Sequence, residues 1–208
     1  AIAKFASKVA TELEGSKKLV PPPAAIESER CVYAVTVRNR KGFRVMAVRA
    51  DKSTDRTELD SHADTIVGGA NCVLLKAGNE TATVHSFSHE SKPFKHVPIG
   101  TIATAWVDPK SGETFILEFP ESLYFGDRMS HTLLCPNQLR AHGLIVNDVP
   151  RQFDERSTHS IQVLADYGGT EIEIPLEMNG VISYFSSHRP TDDELRNCVH
   201  VEMCNDTP

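Results

Sequence analysis

The sequence predicts a mainly β fold, a small barrel or sandwich with few helices. Three observations carry this prediction. From Cys31 onward, short stretches such as "VYAVTVR" and "TEIEIPL" alternate apolar and polar residues and are rich in β-branched side chains. Turn-forming clusters separate them at "NRKG", "GGAN" and "DPKSGE". A single mid-chain stretch, "PNQLRAHG", carries both helix signals, with Pro136 near its start and Gly143 at its end.

Taken in order, residues 2–14 predict a short amphipathic helix, because Ile2, Phe5, Val9 and Leu13 share one face and Gly15 stops it. "KKLVPPPAA" is a stiff, extended linker. Residues 1–30 are thus read as an appendage. "VYAVTVR" and "FRVMAVRA" predict a hairpin through "NRKG", and "ELDSHADTIV" a third strand that turns in its middle. "TATVHSFS", "VPIGTIATAWV" and "TFILEF" follow as strands, and "GLIVND" closes a first domain at about residue 150. "SIQVLADYGG", "TEIEIPL" and "GVISYFS" make a C-terminal β extension over 151–208. It ends in a short helix at "TDDEL", where Thr191 and Glu194 form a capping box.

Composition sets the limits on function. The 208 residues carry a net charge of −6, which excludes a cationic nucleic-acid surface as the main activity. No apolar run has the length of a membrane helix, and no signal-peptide pattern is visible. Cys31, Cys72, Cys135, Cys198 and Cys204 are scattered and odd in number, so we expect reduced thiols and a cytoplasmic location.

The chemistry concentrates at "LDSHADTIV", which resembles the D-[ST]-G-A-[DS] turn of retroviral-type aspartic proteases with His62 in place of Gly. A second phrase, "LLCPNQLRAHGLIVND", follows the order that ends those proteases: two apolar residues, a small residue, a helix, a Gly and a strand. "ESLYFGDRMSHTLLCPNQLRAHG" and "NGVISYF" are similar to the copia-type retrotransposon version, over roughly residues 31–190. The resemblance implies a retropepsin-like small β-barrel with one short helix near the end of its core. It implies a half-enzyme whose catalytic Asp60 pairs with the Asp60 of a second copy. The two carboxylates would share one proton, one acting as base on water and the other polarising the scissile carbonyl of an element's own polyprotein. No metal or cofactor is called for. Ser61 stands where a hydroxyl links the two loops, Ala63 where the turn is tight, and Asp64 where a carboxylate holds the substrate backbone. Pro136 stands where the retroviral enzymes place a supporting Arg. The flap is expected between about Thr81 and Trp106.

His62 is the departure. Gly at that position lets the two loops approach closely. In one reading the imidazole points outward and the homodimer works as an endopeptidase. In the alternative the fold persists without catalysis, as an assembly or binding module. In a third, His62, Asp60 and Asp64 from two copies hold zinc. His85 with His89 reads as a surface pair, and His131, Cys135 and His142 as a minority metal candidate around the helix. Trp106 reads as buried. No GxSxG elbow supports a Ser-His-Asp triad.

Overall fold

A computed structural model describes residues 30–33, 56–85, 92–163 and 172–204. The expected N-terminal helix, its linker and the "NRKG" hairpin turn lie outside these residues.

The chain is mainly β. Among the described residues the strands are β1 (Arg30–Tyr33), β2 (Arg56–Leu59), β3 (Val67–Gly68), β4 (Val73–His85), β5 (Phe94–Val107), β6 (Thr114–Tyr124), β7 (Thr132–Leu134), β8 (Ile145–Asn147), β9 (Ser160–Val163), β10 (Ile172–Pro175), β11 (Glu177–Asn179), β12 (Ile182–Ser186) and β13 (Val199–Glu202). Two α-helices accompany them, α1 (Pro136–Ala141) and α2 (Asp192–Asn197). One mixed sheet runs in the order β1-β4-β5-β6-β3-β7-β2-β12-β11, with β13 paired to β6. A separate antiparallel sheet has the order β10-β9-β8. Both sheets are open among the described residues. No helix there is long and apolar enough to cross a membrane.

Local chemistry explains most boundaries. "DPKSGE" turns because the Asp108 carboxylate accepts the amides of Lys110 and Ser111 at 2.9 and 3.2 Å, and Gly112 takes a φ of 74°. Pro136 occupies the first turn of α1, and Gly143 ends it with a φ of 82°. Thr191 and Glu194 complete the capping box of α2 in both directions.

Three elements differ from expectation. β4 begins at Val73 rather than Thr81, because irregular pairing to β5 carries "VLLKAGNE" as strand despite Gly78 and Asn79. β6 continues to Tyr124 past Phe119, across a bulge at Pro120 and Glu121. The chain does not stop at α2: β13 returns to lie parallel to β6. The C-terminal strands are also woven into the first ones, since β12 pairs with β2.

The core gathers Ile102, Leu117, Phe119, Leu134, Leu139, Phe185 and Met203, all fully buried. A polar knot lies beside it. Asn71 Nδ2 lies 3.0 Å from the Arg56 carbonyl, from Thr57 Oγ1 and from Ser187 Oγ, so its two hydrogens are shared among three acceptors. Thr132 Oγ1 donates to Asn71 Oδ1 at 2.8 Å and accepts the Gly69 amide at 3.1 Å. Thr104 Oγ1 donates to the Asn71 carbonyl at 2.9 Å. These side chains are buried, so each bond made also avoids an unsatisfied group. Gly69 is required here, because a Cβ would sit 2.3 Å from the His131 carbonyl oxygen.

Removing the Asn71 amide orphans several of these groups at once. Asn71→Ala is expected to lower unfolding free energy by about 3 kcal/mol in urea melts. A loss within the scatter of surface substitutions would contradict this picture of the knot.

Candidate active site

Asp60 is placed by a parallel strand pair. β2 lies beside β7 in the register Thr57↔Thr132, Glu58↔Leu133, Leu59↔Leu134. The next amide continues the pairing, as Asp60 N–H donates to the Leu134 carbonyl at 2.8 Å. The chain then turns back on itself. Asp60 Oδ1 accepts the His62 amide at 2.9 Å, and the Asp60 carbonyl accepts the Ala63 amide at 3.2 Å. Ala63 is buried against the core, while Ser61, His62 and Asp64 are exposed. Asp60 itself is half-buried.

The far end of the loop is held as firmly. Ile66 N–H donates to Gln138 Oε1 at 2.7 Å, and the Ile66 carbonyl accepts the Leu123 amide at 2.9 Å. Gln138 Nε2 reaches the Glu121 carbonyl at 3.4 Å, at the β6 bulge where Glu121 adopts a φ of 51°. The loop between Asp60 and Ile66 is thus clamped at both ends by one unit, β7 followed by α1. Gln138 is the residue that sequence reasoning missed. Nothing in the local sequence marked it, since its partner Ile66 lies 72 positions away. Thr65 Oγ1 in the same loop is buried without a hydrogen-bond partner.

The structure brings Asp60, Ser61, His62, Ala63 and Asp64 together on one loop. The His62 imidazole is exposed, with Nδ1 3.5 Å from Ser61 Oγ, so its bulk displaces nothing among the described residues. The expected flap region is the β4–β5 hairpin, whose outer stretch Leu75–Thr81 is exposed. The inner half of "PIGTIATAW", Ile102–Trp106, is buried in the sheet. Trp106 is buried, as its sequence context suggests.

An ionic group joins β2 to the residues just before β7. Glu58 is buried, with Oε2 3.0 Å from His131 Nε2 and Oε1 2.8 Å from Arg56 Nε. The Arg56 contact is close enough for charge attraction but lies off the hydrogen-bond direction. Ser130 Oγ is 2.9 Å from His131 Nδ1. Burial alone would raise the Glu58 pKa. The His131 hydrogen bond and charge, with the Arg56 charge, outweigh it and hold the carboxyl below its ordinary range.

Other candidates separate. His131 pairs with Glu58, Cys135 Sγ accepts the Gln138 amide at 3.3 Å, and His142 Nε2 lies 4.0 Å from Glu121 Oε2. Among the described residues no three His, Cys, Asp or Glu side chains are gathered as metal ligands. Burial pushes the Cys72 thiol up to about 12, so it is no nucleophile. His89 lies outside the described residues. Compared with family models, curated proteins and solved structures, the chain shows no match to any.

Two expectations follow from this geometry. Because folding depresses the Glu58 pKa, its stabilisation is present above the unfolded-chain value and is lost as pH falls through the folded one. Glu58→Gln should therefore flatten the acid limb of a stability–pH curve, read by chemical melts from neutral to strongly acid pH. Gln138→Leu should cost about 1 kcal/mol and speed hydrogen exchange of the Ile66 amide, while Gln138→Glu, which keeps the acceptor, should preserve that protection.

Proposed function

We propose that the chain is one half of a retropepsin-type aspartic endopeptidase, with Asp60 from each of two copies sharing a proton and activating water. The observation that carries this reading is spatial. The two phrases that resemble the family start 74 positions apart in sequence, yet Asp60 bonds directly to Leu134 of the second one. The order strand, small residue, helix, Gly143 and strand is also present as β7, Cys135, α1, Gly143 and β8. The mainly β character and this strand–loop–strand placement support the reading.

In the proposed site, the chain's own residues have limited tasks. The Leu134 carbonyl and the Asp60–His62 bond hold the carboxylate at the loop's entry. In a pair of copies two such carboxylates within hydrogen-bond reach cannot both ionise readily, so one stays protonated and the other is the base. Ser61 is exposed where it would meet the other loop, and Asp64 is exposed where it would accept a substrate amide. The peptide would lie extended against the β4–β5 hairpin and add as a strand. The substrate class is a polypeptide, and the natural one a retroelement polyprotein.

One feature favours the alternative, a non-enzymatic assembly module. The exposed His62 imidazole occupies the loop face that a second copy must approach.

Cleavage of an unstructured polypeptide at acid pH, blocked by a statine-type transition-state mimic, is the expected result. Asp60→Asn should lower it by about a thousandfold and leave the melting temperature unchanged. A purified dimer that cleaves nothing across the acid range sinks the protease reading and leaves the assembly module. His62→Gly separates the causes: activity gained by that variant alone identifies the imidazole as the block.

A further inference from the structure

The C-terminal segment is attached to the fold in an unusual way. α2 buries none of its side chains, and Leu195 and Cys198 pack only partly against Ala103, Ala105 and Ile116. β13 adds to β6 in parallel, with Val199 62% exposed, and only Met203 beyond it is fully buried. The Met203 amide donates to the Glu118 carbonyl at 2.8 Å. Apolar anchoring is confined to the end of the segment, where Val201 packs partly against the main core and Met203 enters it, so polar bonds hold the rest.

His200 makes the central ones. Its Nδ1 lies 2.5 Å from Glu118 Oε1 on β6, and its Nε2 lies 2.9 Å from the Leu195 carbonyl on α2. An ionised carboxylate and a carbonyl can only accept. Both ring nitrogens must therefore donate, which requires the imidazolium. A neutral ring leaves one nitrogen lone pair facing an oxygen and loses the charge pair with Glu118. One residue thus joins β13, α2 and β6 only while it is protonated.

The surrounding charges do not substitute for it. β6 offers Glu118, and β13 itself carries the exposed Glu202. On α2, Glu194 is engaged by Thr191 and by His188 Nε2 at 2.8 Å, and Arg196 by Asp193 at 3.4 Å, leaving Asp192 exposed at the start of the helix. Nothing on these elements supplies a second cation to Glu118 in the structure.

We propose that α2 and β13 form a C-terminal clasp that protonated His200 holds shut on β6 and that opens as pH rises. The Glu118 hydrogen bond first, then the Leu195 carbonyl, raise the His200 pKa above the ordinary imidazole value, against a smaller opposing effect of burial. The sign follows: a raised folded pKa gives a contribution that is complete below the unfolded value and is lost as pH climbs through the folded one. Opening uncovers Met203 and one edge of β6, the strand whose Leu123 amide supports Ile66 in the Asp60 loop. The clasp does not rest on the protease reading.

The test is hydrogen exchange at the Val201 and Met203 amides from acid to alkaline pH, corrected for intrinsic base catalysis. In the unaltered chain, protection should fall as pH rises through the His200 titration. His200→Gln and Glu118→Gln should each abolish that pH dependence, with exchange already fast in acid, while His188→Gln should retain it. The His200 ring should titrate above ordinary histidine by NMR, a readout that needs no variant to fold. Protection independent of pH, a dependence that survives His200→Gln, or a ring that titrates at or below the ordinary value would overturn the clasp.

Discussion

The structure depends on one pairing: β2 beside β7, in parallel, with the Asp60–Leu134 bond as its last rung. A parallel pair cannot be closed by a tight turn, so outside groups must fix its register. Here the Asn71 side chain does so. It binds the Arg56 carbonyl and Thr57 on one strand, Thr132 on the other, and Ser187 just past β12. A slip of one residue would turn Thr57 and Thr132 away from Asn71 and move Asp60 off the Leu134 carbonyl. The same contacts that satisfy a buried amide therefore fix where a carboxylate is displayed.

The loop that follows is tied down by its backbone and open in its side chains. Leu134 anchors its entry and Gln138 its exit, while Ala63 seats its middle in the core. Ser61, His62 and Asp64 are left exposed at the top. That combination suits a surface meant to meet something else, a substrate or a second loop. It also explains why a large residue at position 62 is compatible with the fold.

Local chemistry was legible in the sequence, and long-range bonding was not. The capping box at Thr191, the turn at Asp108 and the Pro136–Gly143 limits of α1 depend on neighbours a few residues apart, and the sequence displays them. The Asp60 loop was legible as a motif; its backbone bond to Leu134, 74 positions on, was not. Gln138 and Asn71 were not legible, because an amide side chain carries no mark of the distant backbone it will bind. β13 escaped notice for a related reason: Val199, His200, Val201 and Glu202 alternate, but four residues are too short a run to mark a strand, and the pairing that makes them one comes from β6. The extension of β4 through Gly78 and Asn79 likewise comes from its partner strand.

Two copies of a loop held this firmly either meet at their apices or do not, and a crystal structure of the assembled chain at acid pH measures this directly. The distance between the two Asp60 carboxylates is the decisive quantity. A separation within hydrogen-bond reach, about 3 Å across a two-fold axis, is the expected result. Copies that associate through other surfaces, or loops wedged apart by paired His62 rings, would contradict the half-enzyme reading of Asp60.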